Sequence, residues 1–115
     1  MTKAENRVVI QMNEGFVKVG QLNDFAIGSM KKVFVNGEDV LVANIDGVLC
    51  AIGNSCTHLG GPLDEGELQG SVVTCPWHGG QFDVRNGKIL ARPPTADDRS
   101  YEVRIQGTDV LVRKK

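Results

Sequence analysis

The chain has 115 residues, about the common size of one domain: long enough to bury a core, short for a catalytic domain with a cofactor module beside it. Its 13 basic and 14 acidic residues leave a net charge of -1, so bulk electrostatics argue against a nucleic-acid or membrane-surface partner. Only Val8-Val9-Ile10 follows the polar Met1–Arg7, too short for a signal peptide or membrane anchor, and three cysteines do not make a secreted disulfide scaffold; a soluble, cytoplasmic, monomeric protein with reduced thiols is expected.

Helix signals are poor along the whole chain, and the β-branched runs are short and separated by turn dipeptides, which predicts an antiparallel all-β domain over residues 1–115. Phe16 to Val42 supply frame, with Asp24 to Met30 read as a short turn or irregular connection. Lys32-Val33-Phe34-Val35 and Asp39-Val40-Leu41-Val42-Ala43 flank Asn36-Gly37, a pair favoured where both turn residues need positive φ. Asp46-Gly47 repeats the device before Val48-Leu49-Cys50-Ala51-Ile52, where alternation puts Cys50 on one face with Val48 and Ile52, as a core residue. Ser71-Val72-Val73-Thr74 runs directly into Cys75, and Asn86-Gly87 separates Gln81-Phe82-Asp83-Val84 from Lys88-Ile89-Leu90. Tyr101 to Ile105 and Val110 to Val112 form a closing hairpin around Gln106 to Asp109.

The chemistry lies in two loops at strand ends. Cys56-Thr57-His58 and Cys75-Pro76-Trp77-His78 each offer one thiolate and one imidazole, with 16 residues between His58 and Cys75. They take both histidines of the chain and two of its three cysteines. Gly60-Gly61 and Gly79-Gly80 follow at once; glycine allows close backbone approach, so amide N–H groups can turn toward sulfur. Two Cys and two His can hold one zinc in a closed tetrahedral site. Zinc modules, however, generally gather cysteine pairs and histidine pairs, whereas a loop mixing both donors suits a two-iron cluster with one loop on either side. From Ala51 to Val84 there is no Lys or Arg, and Asp64, Glu65, Glu67 and Asp83 give the stretch -4; ten acids and 13 bases elsewhere give +3. Such a segment attracts a basic patch on a partner, over a range that salt limits to about 10 Å.

Cys56-Thr57-His58-Leu59-Gly60-Gly61 and Cys75-Pro76-Trp77-His78-Gly79-Gly80-Gln81-Phe82-Asp83 resemble the two ligand boxes of Rieske proteins, above all the soluble Rieske-type ferredoxins, and the similarity extends over the whole chain. The resemblance implies a Rieske fold of antiparallel β-sheets in a sandwich, with a small cluster-binding subdomain of two loops at roughly residues 53–82. It implies one [2Fe-2S] cluster, with Cys56 and Cys75 on one iron and His58 and His78 on the other. Two ferric irons, two sulfides and two thiolates then cancel in charge, so an electron enters against less repulsion than in an all-cysteine cluster, and the potential lies at about −150 to +300 mV.

Departures from the family's high-potential branch place the chain within that range. Rieske subunits of cytochrome bc complexes carry a disulfide between the boxes, where this chain has Gly61 and Trp77. They also place Ser and Tyr hydroxyls near the sulfurs, at positions matching Gly80 and Phe82, which have none to donate. A potential in the low part of the range follows. The outer ring nitrogens of His58 and His78 are expected to be exposed, and an electron added beside them favours their protonation. The potential should therefore fall with rising pH; a potential constant from neutral to alkaline pH, measured by voltammetry, would contradict exposed histidine ligands. Arg92-Pro93-Pro94 matches a proline-containing loop that Rieske proteins often pack against the cluster, and Trp77 is a candidate to shield it or to meet a partner.

The resulting expectation is an electron carrier, not an enzyme, which takes one electron from a reductase and passes it to a terminal oxygenase through transient contacts. With both histidines assigned, no two-His-one-carboxylate iron site remains for oxygenase chemistry, and no glycine-rich nucleotide-binding unit appears for a reductase. A Rieske-like small subunit of a larger enzyme, such as assimilatory nitrite reductase, is the alternative.

Overall fold

A computed structural model describes residues 15–115; Met1–Arg7 and Val8-Val9-Ile10 lie outside the described residues. Ten strands follow one another, with β1 at Val17–Gln21, β2 at Met30–Val35, β3 at Glu38–Ile45, β4 at Val48–Gly53 and β5 at Glu67–Gln69. Then come β6 at Val72–Thr74, β7 at Gln81–Asp83, β8 at Ile89–Ala91, β9 at Ser100–Gln106 and β10 at Asp109–Lys114. The only helical pieces among the described residues are single 3-10 turns at Leu22–Asp24 and Leu63–Glu65. All pairings are antiparallel, in a six-stranded sheet ordered β1-β10-β9-β4-β3-β2 and a four-stranded sheet ordered β5-β6-β7-β8. The all-β expectation is met. Among the described residues no helix is long and apolar enough to cross a membrane.

The two-residue turns are where the dipeptides place them. Asn36 and Gly37 have φ of 51° and 84°, and Asp46 and Gly47 have 54° and 95°, the double positive φ that these tight hairpins need. Asn86-Gly87 behaves differently: β7 ends at Asp83 and β8 begins at Ile89, so five residues connect them rather than two. Asp83 causes this, because its carbonyl accepts the N–H of both Asn86 and Gly87 while its carboxylate takes the N–H and guanidinium of Arg85.

Strand β3 serves two cores, because its alternate side chains face opposite ways. Val40 and Val42 join Phe25, Val33, Val35, Ala51, Tyr101, Val110 and Val112 inside the curled large sheet. Leu41 and Ala43 point the other way, with Ile52, and meet Leu63 of the second 3-10 turn, Val73 and Phe82 of the small sheet, and Val84 just after β7. Cys56 and Cys75 belong to this second core, so the loops are anchored by apolar contact between the two sheets. Cys50 is half-buried against the same core, as alternation predicts.

Candidate metal centre

The two ligand-bearing loops are built alike. In the first, Cys56 N–H donates to the Gly61 carbonyl and Gly60 N–H to the Cys56 carbonyl, both at 2.8 Å. In the second, Cys75 N–H donates to the Gly80 carbonyl at 2.8 Å and Gly79 N–H to the Cys75 carbonyl at 3.1 Å. Gly60 and Gly79 hold the same place in each turn, with φ of 81° and 78°, where a side chain would be strained. A bridge between Ser55 and Pro62 closes the first loop, and the Thr74–Gln81 pair of β6 and β7 closes the second. The Asn54 amide stiffens the first base, donating to the Asp64 carboxylate at 2.8 Å and accepting the Asp64 N–H at 2.9 Å.

Histidine follows cysteine by two residues in one loop and by three in the other, and the loop frames bring both rings together. His58 and His78 are exposed, with ring centroids 5.2 Å apart and planes at 77°. The cysteines lie beneath: Cys56 and Cys75 are 4% and 3% exposed and neighbour each other closely enough that Cys75 adds to burial in raising the Cys56 thiol. Burial pushes the Cys56 thiol up, while the N–H groups of His58 and Leu59, turned toward its sulfur, pull it down. A thiolate there is dry and met by amide donors, a setting that favours a cation beside it. Among the described residues no three Cys, His, Asp or Glu side chains gather about one point. The contacts that are seen pair thiol with thiol and imidazole with imidazole, an arrangement that could serve two irons with unlike ligands.

Gly61 lies where the loops touch. A Cβ there would come within 2.7 Å of Cys75 Sγ and 3.1 Å of Trp77 Cδ2, so the indole rests on a bare backbone. The other side of Trp77 is open, and with Leu59 it forms an apolar margin beside the histidines, 54% and 60% exposed. The segment after β8 reaches both loops: Pro94 packs so closely on Gly80 that a Cβ there would meet its Cδ at 2.5 Å, and the Thr57 hydroxyl donates to the Ala96 carbonyl at 2.6 Å. The proline-containing segment thus packs on the two loops that carry the predicted ligands.

The acidic segment needs one correction. Asp83 is buried and bound by Arg85 at 2.8 Å, and the Arg85 side-chain hydrogen bond holds its carboxyl below the usual range. Arg85 lies one residue beyond the stretch in which charges were counted, so among the described residues the charge of that stretch without an ionic partner rests on Asp64, Glu65 and Glu67. Sequence reasoning missed a further acid, Asp98, which is buried where the two sheets meet. A polar run at Asp97-Asp98-Arg99 carries no signal of burial.

The family model for the Rieske [2Fe-2S] domain matches residues 15–112. The ferredoxin component of the naphthalene 1,2-dioxygenase/salicylate 5-hydroxylase systems of Ralstonia sp is 33% identical over 102 residues, 89% of this chain and 98% of that protein. Among solved structures, the ferredoxin of carbazole 1,9a-dioxygenase from Nocardioides aromaticivorans IC177 matches with a TM-score of 0.83 at 35% identity, covering 87% of this chain and 98% of that one. A chain in the complex of reduced oxygenase and oxidized ferredoxin in carbazole 1,9a-dioxygenase matches with a TM-score of 0.83 at 32% identity, covering 90% and 98%. Paired loops, paired donors and a family match over nearly all the described residues agree: this chain belongs to the Rieske [2Fe-2S] domain family.

Proposed function

We propose that this protein is a one-electron carrier between a reductase and a terminal oxygenase, a single Rieske domain with its cluster-binding part at about residues 53–82. In this reading Cys56 and Cys75 hold one iron and His58 and His78 the other. The observation that carries it is the arrangement of donors, two buried thiols side by side and two exposed imidazoles side by side on matched loops. When bound, the cluster takes up and releases one electron at about −150 to +300 mV. The residues of the chain do the rest. The cysteines and the core around them exclude water from the sulfur side, and the histidine rings form the outlet to the surface. Leu59 and Trp77 offer a partner a dry contact at that outlet. Asp64, Glu65 and Glu67 favour a partner with a basic rim, and steering of this kind weakens with salt. The solved complex of a similar ferredoxin with its oxygenase supports this choice of partner class. Three free cysteines fit a cytoplasmic setting.

Protein purified after expression with iron should be red-brown, and dithionite reduction should produce an electron paramagnetic resonance signal with average g below the free-electron value. A colourless protein that retains zinc would overturn the reading. Voltammetry should place the potential below about +150 mV, in the lower part of the Rieske range, because Gly80 and Phe82 bring no hydroxyl and the nearby acids oppose electron uptake. A higher value would show that other donors compensate.

A further inference from the structure

The segment that joins β8 to β9 works as a strap across both ligand-bearing loops, touching the first at Thr57 and the second at Gly80. Its far end is fastened by Asp98, which is 7% exposed. The Asp98 N–H donates to the Gly87 carbonyl at 2.7 Å, and its Oδ1 accepts the Arg99 N–H at 2.7 Å. Oδ2 is buried with no partner among the described residues, and so is the hydroxyl of Ser100 two residues on. The space is enclosed by bare backbone. A Cβ on Gly53 would come within 2.6 Å of Oδ1, and one on Gly87 would collide with the Asp98 carbonyl. The carboxyl is thus wedged between the strand end that leads into the first loop and the turn that leads into β8.

Charged groups nearby do not complete it. The Arg99 guanidinium lies against the same face of Gly53 but is drawn to Glu38 at 3.1 Å, and the Tyr101 hydroxyl donates to the same Glu38. The β7–β8 turn presents the backbone of Gly87; of its charged side chains, Arg85 is held by Asp83 and Lys88 is exposed. Asp97, beside it on the strap, accepts the Ile89 N–H. A buried carboxylate with one bare oxygen is costly, whereas the neutral acid carries a proton there. Burial pushes the Asp98 acid up to about 7, against the pull of the Arg99 N–H and charge.

We propose that Asp98 is the positioning residue that fastens the strap over both loops, and that it does so as the neutral acid. Loss of its proton sets an unpaired charge in the joint and loosens the strap, so the protein holds its cluster more firmly on the acid side of neutrality. The cluster part of this statement rests on the proposed function above. The sign follows from linkage: the folded state binds this proton more tightly than the unfolded chain, with its ordinary value of 3.8, so the contribution is whole below that value. It declines as pH rises, and past about 7 no more is lost.

The test compares wild type with Asp98→Asn, which keeps the shape and removes the titration. The ratio of their cluster half-lives, read from visible absorbance, should rise by up to about thirtyfold in favour of the variant between pH 5.5 and 8, because the one and a half pH units between 5.5 and the folded value of about 7 each carry a factor of ten. Taking the ratio cancels the pH dependence of the ligands themselves; a ratio that does not change with pH overturns the proposal. Infrared spectroscopy of the wild type keeps the question open to disproof even if the variant does not fold. A protonated-carboxyl band should be present at pH 5.5 and gone at pH 9, and its absence at pH 5.5 overturns the proposal. The visible spectrum reports separately whether any cluster is held, so a colourless protein counts against the proposed function while the infrared band still decides the state of Asp98.

Discussion

His58→Ala and His78→Ala should each abolish the visible spectrum and the resonance signal of the reduced protein, with bound iron falling to near zero. The rings stand 5.2 Å apart on separate loops, and in the proposed ligand assignment each would supply half of the nitrogen pair, so neither could stand in for the other. Cys50→Ser should leave colour and iron content unchanged. Cys50 sits on β4 against the inter-sheet core, where burial, reinforced by Asp83, keeps its thiol protonated. Loss of the cluster in Cys50→Ser, or its retention in either histidine variant, would overturn the ligand assignment.

The largest effect on folding is expected from Phe82→Ala. This ring is fully buried, pairs across β6 at Val73, and fills the core between the sheets immediately after the second loop. Removing it should cost about 3–5 kcal/mol, lowering the thermal midpoint by roughly 10–20 °C in a domain of this size. Phe34→Ala makes the control: the side chain is 66% exposed on the edge strand β2, and its loss should change stability by less than about 0.5 kcal/mol. Thermal unfolding of the cluster-loaded protein measures both. Equal effects would mean that the second core does not support the fold as described.

The hairpins at Asn36-Gly37 and Asp46-Gly47 were legible because positive φ at two successive residues admits few residue types, so the dipeptide names the turn. The ligand loops were legible for a similar reason, since donors and glycines must recur at fixed offsets for the loops to match. Strand β5 was not: Glu67–Gln69 is three residues long and mostly polar, and it becomes a strand only because β6 lies beside it. The connection between β7 and β8 is five residues long, more than the Asn86-Gly87 dipeptide indicates, because its determinant is Asp83, a side chain outside the dipeptide. Burial of Asp98 was invisible for the same kind of reason. It depends on Gly53 and Gly87, 45 and 11 positions away in sequence, coming together around it.

The contact of Trp77 with Gly61 bears on where such a carrier can operate. High-potential relatives in this fold family tie the same two positions with a disulfide; here a flat ring rests on a bare Cα. Nothing in that joint can be opened by a thiol or by a strong electron donor. The grip on the two loops is therefore independent of the redox chemistry around it, and the protein can sit in a thiol-rich fluid, or be reduced over and over by its donor, without its own frame becoming a substrate of the electrons it carries.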